Sequence, residues 1–379
     1  MINLAVIGLG PIGAMHVDNL LKSDVANLVA ICDQRPITDE KYSHLKYYNK
    51  VEDLLSAGGF DAVVVATPSF THYNLAKQII EAGFNVLIEK PLALCTADAI
   101  EVEELAKSKN LLCAIMLNQR TTPIYARIKE LVQSGELGKV NRVSWTMTNW
   151  YRPNIYFTSS NWRGTWKGEA GGALINQSIH NLDILAWVFD MPKSVKAWCK
   201  YGKYHDIEVE DEVICHMDLG DSTSLSFITS TGEYPGANRL EIAGDKAFVV
   251  AENGELKITK FKGKSLSEFT RETDQPFSSP ESELEIETFE GNGAQHMGVI
   301  TNFVKALEGK EELDYKLEEG IKSLELANAM LMSSWTNSEV AMPLEHNAYK
   351  AELDKHLESS KLREQVQKVG AIDFGKSFK

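Results

Sequence analysis

Asn3-Leu4-Ala5-Val6-Ile7-Gly8-Leu9-Gly10-Pro11-Ile12-Gly13 joins a five-residue apolar run to Gly-x-Gly-x-x-Gly and leads into an amphipathic stretch. The run reads as a buried strand and the stretch as a helix, the context that lifts this glycine pattern above chance. Gly8 makes the turn, Gly10 lets the backbone approach a pyrophosphate, and Gly13 lets helix and strand pack closely. Pro11 and Ile12 open the helix, whose free N–H groups favour an anion. Twenty residues beyond Gly13, after the apolar run Leu28–Cys32, stands Asp33, followed by Gln34. A carboxylate there accepts from ribose hydroxyls and repels a 2′-phosphate, favouring NAD over NADP; Arg35 weakens that preference.

Outward from this stretch the alternation continues. Apolar runs at Ala62–Ala66, Val86–Ile88 and Leu111–Met116 are separated by helical patterns around His16–Lys22, Val51–Ala57, Asn74–Ala82 and Ala97–Lys109. That predicts βαβ units and a doubly wound parallel sheet over residues 1–120, with its ligand crevice at the strand carboxyl ends. Two strand ends carry candidates. Thr67-Pro68 follows the third long run, where Thr67 lines a cofactor or starts a turn. His72, a little further on, is a cofactor-lining candidate for which capping or packing is the commoner role. Glu89-Lys90-Pro91 ends the next run. Pro91 stops the strand with the Lys90 ammonium at its mouth, where a neighbouring cofactor or apolar wall would lower its proton affinity.

From about residue 121 the rhythm changes. A helix over Pro123–Gly135, a strand over Val140–Thr148 and a helix over Leu174–Phe189 precede strand patterns at Ser194–Cys199, Val213–Asp218, Ser224–Thr229, Leu240–Ala243 and Ala247–Val250. This predicts an α+β region over 121–346 with a large, mostly antiparallel open sheet. Residues 295–338 return to helix. A charged tail, 347–379, carries a helical pattern near Tyr349–Val369.

Gly171-Gly172-Ala173-Leu174-Ile175-Asn176-Gln177-Ser178-Ile179-His180 is the richest polar cluster. On a continuous helix Asn176 and His180 share a face. His180 suits removal of a hydroxyl proton, although a helix histidine is more often a satisfied structural residue. Tyr151, Trp162 and Arg163 lie in an aromatic loop that suits a carbohydrate ring or a subunit interface. His296 opens a late helix, where capping is the expected role.

The 379 residues bear a formal net charge of -14, with 53 acidic against 39 basic side chains. Such a surface repels phosphate backbones, so no nucleic-acid partner is expected. Cys32, Cys95, Cys113, Cys199 and Cys215 are scattered without a Cys-x-x-Cys pair, which argues against a disulfide framework or a metal site and fits a reducing cytoplasm. The chain starts on a strand pattern without a basic leader, and no apolar run approaches a membrane span.

The glycine start, Thr67-Pro68, Glu89-Lys90-Pro91 and the Gly-Gly…Asn176-x-x-x-His180 segment, in this order and spacing, resemble the glucose–fructose oxidoreductase/inositol dehydrogenase (Gfo/Idh/MocA) family over roughly residues 1–345. The resemblance implies NAD-dependent hydride transfer at a secondary hydroxyl of a sugar, sugar acid, glycoside or cyclitol, and a homodimer or homotetramer formed through the C-terminal sheet. It implies that Lys90 contacts substrate and nicotinamide and that His180 is the acid/base. It implies that Asn118 and Arg120, in Asn118-Gln119-Arg120, lie beside nicotinamide and substrate. Two positions depart from the pattern. Asn176 stands where inositol dehydrogenases carry aspartate, so a carboxylate–histidine relay at that position is lost and more of the proton transfer falls to Lys90. Ser178 replaces a glycine and is expected to narrow the space near the site. A non-catalytic NAD-binding regulator, and an NAD-dependent glycoside-cleaving enzyme, are the competing readings.

Overall fold

A computed structural model describes residues 1–36 and 39–367. The first region runs β1 (Asn3–Ile7), α1 (Pro11–Leu21), β2 (Asn27–Cys32), β3 (Lys46–Tyr48), α2 (Val51–Ala57), β4 (Ala62–Val65), α3 (His72–Glu81), β5 (Asn85–Ile88), α4 (Thr96–Ser108) and β6 (Cys113–Ile115). All six strands pair in parallel, in the order β3-β2-β1-β4-β5-β6. Every residue of β4 is buried, as expected for a strand covered by helices on both faces. The strand order reverses between β1 and β4, so the carboxyl ends of these two strands flank the switch point. Two strand readings change. β3 is a three-residue edge strand with mostly outward side chains, too short and polar to show apolar periodicity. Leu111 and Leu112 stay out of β6 because their N–H groups go to Ala106 O (3.1 Å) and Asn85 Oδ1 (2.9 Å).

The second region runs α5 (Pro123–Gln133), β7 (Val140–Met147), α6 (Asn154–Thr158), α7 (Trp166–Glu169), α8 (Ile179–Phe189), β8 (Ser194–Tyr201), β9 (Glu210–Gly220), β10 (Thr223–Ser230), β11 (Asn238–Gly244), β12 (Ala247–Glu252), β13 (Glu255–Phe261), α9 (Leu266–Glu272), β14 (Ser282–Thr288), α10 (Gln295–Leu307), α11 (Leu317–Thr336), β15 (Val340–Ala341) and α12 (His346–Ser359). Its nine strands are ordered β14-β13-β12-β11-β7-β10-β9-β8-β15. Only β7 and β10 pair in parallel; the other neighbours are antiparallel. Buried residues alternate with open ones along β7 and β9, so one face packs inward and one faces out.

Helix α11 joins the two sheets. It packs on β8 and α8 of the second region and on α4 and β6 of the first. Asn328, fully buried on α11, accepts from the Thr96 amide (2.9 Å) and hydroxyl (2.7 Å) at the start of α4. These bonds occupy acceptor capacity that burial would otherwise leave unmet. The helix expected near Tyr349–Val369 ends at Ser359, because Ser360 takes an extended conformation (ψ 149°) and its hydroxyl bonds Glu208 at 2.5 Å. Residues 361–367 run on without helix, and 368–369 lie outside the described residues.

Candidate active site

The glycine turn is shaped by close approach. A Cβ on Gly13 would stand 1.8 Å from the Gly8 carbonyl oxygen, and Gly8 itself has φ +93°. A Cβ on Gly10 would meet no protein atom within 4 Å, which leaves open space in front of the α1 N-terminus. That space, next to unpaired helix N–H groups, fits a dinucleotide pyrophosphate. Pro11 occupies the first helical position, with Ile12 half-buried behind it. Asp33 ties the loop to β2: its carboxylate accepts from Leu9 N (2.6 Å) and Arg35 N (2.9 Å). Burial pushes the Asp33 carboxyl up, but the bonds from Arg35 and Leu9 outweigh it and hold the group ionised. Gln34 is exposed beside it.

Across the sheet, Thr67 and Pro68 cap β4, and the Thr67 hydroxyl pairs with that of Thr71 (2.6 Å). His72 is buried with one ring nitrogen 2.8 Å from Thr67 O and the other 2.7 Å from Pro91 O. It braces the β4 and β5 ends against each other. Glu89 is buried and accepts from His16 Nε2 at 2.7 Å. A carboxylate can only accept, so Nε2 carries the proton. Burial alone would raise Glu89; the His16 bond and charge pull it down to about 2. His296 lies with its Nε2 4.0 Å from Glu89 Oε1 and its ring edge-on to His16 at 5.4 Å. It therefore faces the site rather than capping α10, and burial lowers it to about 4. Asn118 donates to Gln295 Oε1 (2.6 Å), which joins the turn after β6 to the start of α10.

Lys90 reaches the second region. Its Nζ donates to the Asn176 carbonyl at 2.7 Å. Burial lowers its proton affinity, and Arg163 and Arg152 lower it further, while Glu89 and Glu169 oppose the shift. The Asn176 carbonyl is available because the expected helix over Leu174–Phe189 does not run through. Residues 173–177 form a π-helical turn closed by Ser178 N to Ala173 O at 2.7 Å, and regular helix begins only at Ile179. Such turns recur at functional sites. Glu210 of β9 holds the turn from beneath, its carboxylate accepting from Gly172 N (2.7 Å) and Leu174 N (2.9 Å). A Cβ on Gly172 would lie 2.1 Å from the Glu210 carbonyl oxygen, so only glycine fits there.

The π turn breaks the shared face expected of Asn176 and His180. The Asn176 amide donates to Glu169 and accepts from the Tyr156 hydroxyl (3.3 Å), and it makes no bond to His180. Glu169 is buried and also accepts from Gly164 N at 2.7 Å; burial pushes it up to about 7. His180 is half-buried at the start of α8, where burial and the Lys90 charge keep its imidazole neutral. Ser178 does not narrow the site: its hydroxyl turns to Thr229 of β10 at 2.5 Å.

Not every sequence candidate gathers here. Arg120 is buried with Nη2 2.6 Å from Asp183 Oδ1 and 2.9 Å from Glu319, so its guanidinium braces α8 against α11 instead of facing Lys90. Tyr151 is exposed and packs edge-on to Tyr234 at 6.0 Å. Trp162 and Arg163 lie nearer, with the Arg163 guanidinium 4.4 Å from the Tyr156 ring and 5.0 Å from Trp162. Sequence reasoning missed Glu169, His16 and Glu210. The one available signal was Glu210-Asp211, charged residues at the head of an apolar strand pattern.

Comparison with known proteins bears on the fold and the family. Residues 2–117 match the oxidoreductase family model with an NAD-binding Rossmann fold, and residues 125–250 match the C-terminal domain model of the same Gfo/Idh/MocA group. An uncharacterised oxidoreductase of Synechocystis is 27% identical over 90% of this chain and 96% of its own length. The myo-inositol 2-dehydrogenase of Thermotoga maritima is 27% identical over 66% of this chain and 75% of its own. Among solved structures, the WlbA dehydrogenase of Chromobacterium violaceum, in complex with NADH and UDP-GlcNAcA, superposes with a TM-score of 0.76. It is 26% identical, over 91% of this chain and 96% of that one.

Proposed function

From the chain's place in the Gfo/Idh/MocA oxidoreductase family, to which it belongs, we propose that it moves a hydride between NAD and a secondary hydroxyl or ketone of a sugar, glycoside or cyclitol. The observation that carries this reading is the Lys90 ammonium, held 2.7 Å from the Asn176 carbonyl where the NAD-binding region meets the π turn. NAD, when bound along Gly8–Gly13 and Asp33, supplies the hydride-accepting ring. Lys90 polarises the substrate oxygen. His180, kept neutral by burial and the Lys90 charge, accepts the hydroxyl proton. Asn176 orients Lys90 through its carbonyl, and its own side chain is fixed by Glu169 and Tyr156. We place the boundary between the cofactor and substrate regions after Arg120 and the location of the protein in the cytoplasm. Among the described residues no helix is long and apolar enough to cross a membrane.

The test is absorbance at the NADH band with inositols, free sugars and aryl glucosides. Lys90→Ala should lower kcat/KM about 100- to 10,000-fold. Near-full activity in that variant removes Lys90 from the chemistry. Absence of turnover or exchange across the panel returns the protein to the class of NAD-binding regulators.

The outer face of the second sheet supports pairing of copies. Trp198 of β8 and Ile214 of β9 sit opposite each other in register, and both are exposed. Exposed apolar pairs on a broad sheet face favour burial against a like surface. Ile214→Glu should shift the sedimentation coefficient to that of a smaller species; an unchanged coefficient places the contact elsewhere.

A further inference from the structure

The turn that presents the Asn176 carbonyl to Lys90 is gripped by two buried carboxyls. Glu169 of α7 takes the Asn176 amide on one oxygen and Gly164 N (2.7 Å) on the other. Glu210 of β9 takes Gly172 N (2.7 Å) and Leu174 N (2.9 Å), both on Oε1. Asp183, Glu89 and Asp211 are buried as well, and each lies against a basic side chain. Among the described residues neither Glu169 nor Glu210 has one within ion-pair distance. Glu325 of α11 also lacks one, but its bond is to Leu344 N and not to this turn.

Two neighbouring carboxylates without a cation are costly, and such a pair ordinarily keeps a proton. Hydrogen-bond geometry says which member keeps it. Both Glu169 oxygens are met by donors, as an ionised carboxylate requires. Glu210 Oε2 is buried and meets none. An unanswered anionic oxygen costs more there than an unanswered hydroxyl, and Oε1 alone can accept both N–H bonds as the carbonyl oxygen of an acid. The other groups facing Glu210 supply no cation. Cys199 and Tyr201 of β8 and Tyr349 of α12 are each pushed up by burial and so stay neutral. On its own strand, Asp211 is turned to His205. Burial raises Glu169 and Glu210 to about 7; the Glu169 charge adds to the rise of Glu210, and the bonds from Leu174 and Gly172 oppose it. The two carboxyls therefore titrate as a pair.

We propose that Glu210 is a positioning residue: as the neutral acid, with its proton on Oε2, it holds the π turn on Lys90 and leaves Glu169 as the ionised member facing the ammonium. The proposal rests on the dehydrogenase reading above. The charges that weigh on Lys90 are Glu89, Glu169, Arg163 and Arg152, so Glu210 reaches it through the turn and through Glu169. With the proton on Glu169 instead, that support would be missing, and buried Lys90 would give up its own proton more readily.

The experiment joins infrared spectra of the full chain, taken just above neutral pH, to the pH profile of kcat/KM. Wild type should show the carbonyl band of a protonated carboxylic acid, and Glu210→Gln should lose it. Glu210→Ala, which strands two buried N–H groups, should lower kcat about 10- to 100-fold with NADH affinity unchanged. Glu210→Gln keeps a neutral acceptor in place, so it should restore kcat to within about threefold and leave the alkaline fall of kcat/KM where wild type has it. Should the alanine variant fail to fold, the glutamine variant and the spectra still decide. The proposal is overturned by the absence of an acid band, by a band that survives Glu210→Gln, or by a glutamine variant as slow as the alanine one. It is also overturned by full kcat in Glu210→Ala, or by an alkaline fall that moves up in Glu210→Gln, which would put the proton on Glu169. Turnover without the acid band keeps the dehydrogenase and removes the shared proton. An acid band that depends on Glu210, without turnover of any sugar or cyclitol, keeps the proton and removes the dehydrogenase.

Discussion

The two walls of the crevice are held in different ways. On the cofactor wall, the polar groups of the glycine turn find partners close by in sequence or on neighbouring strands: Leu9 N on Asp33, Asp33 on Arg35, Gly8 N on Cys32 O. On the substrate wall the functional side chains are set by distant chain. Gly172 and Leu174 hang on Glu210, Asn176 on Lys90, and the loop 158–167 on the segment after α12. There Arg363 donates to Asn161 O (2.8 Å) and Asp206 O (2.7 Å), Ser360 accepts from Lys167 N (3.0 Å), and Gln367 N reaches Thr158 O (2.9 Å). A wall built locally tolerates change beyond its own span, whereas one assembled from remote pieces responds to substitutions far from the chemistry.

Three substitutions probe that contrast. The largest effect is expected on the local wall. Asp33→Ala removes the ribose acceptor, and the NAD-over-NADP ratio of kcat/KM should fall about 10- to 100-fold. Unchanged discrimination would place the ribose contact outside β2.

Next comes Glu169→Gln, which tests whether the remote wall controls charge as well as shape. Glu169 binds its proton with a value near 7, so above that pH it is ionised and supports the charged form of Lys90 against burial. Without that charge Lys90 should release its proton at lower pH. The alkaline limb of the kcat/KM profile should then move down by about one unit, with wild type and variant converging below pH 7. Superimposable profiles would reduce Glu169 to a packing role.

The smallest effect is expected at Arg363→Ala, which weakens the grip on the loop while its backbone bonds remain. KM for substrate should rise about three- to tenfold with little change in NADH affinity, and amides 158–167 should exchange faster. Equal changes in NADH and substrate binding would mean that the two walls are not separable.

The same contrast explains what could be read from sequence. The Rossmann region was legible because its signals are periodic and local: apolar runs, the glycine turn, an acidic residue at a fixed distance. Lys90 and His180 were legible as types in positions. The π turn was not, since a hydrophobic pattern over Leu174–Phe189 is equally that of an unbroken helix. Glu169, in Lys167-Gly168-Glu169, reads as ordinary surface; its burial exists only because α7 folds under the Asn176 amide. Arg120 was expected beside substrate because Asn118-Gln119-Arg120 resembles the family's segment there, but Asp183 and Glu319 arrive from helices 63 and 199 residues later and claim it.

The fastening of loop 158–167 by residues 360–367 bears on how such an enzyme could be re-engineered. A graft that exchanges the aromatic loop alone, as a means of importing another specificity, would separate a latch from its catch. Donor and recipient segments would have to travel as a pair, two stretches of chain 193 to 209 positions apart inherited as one part.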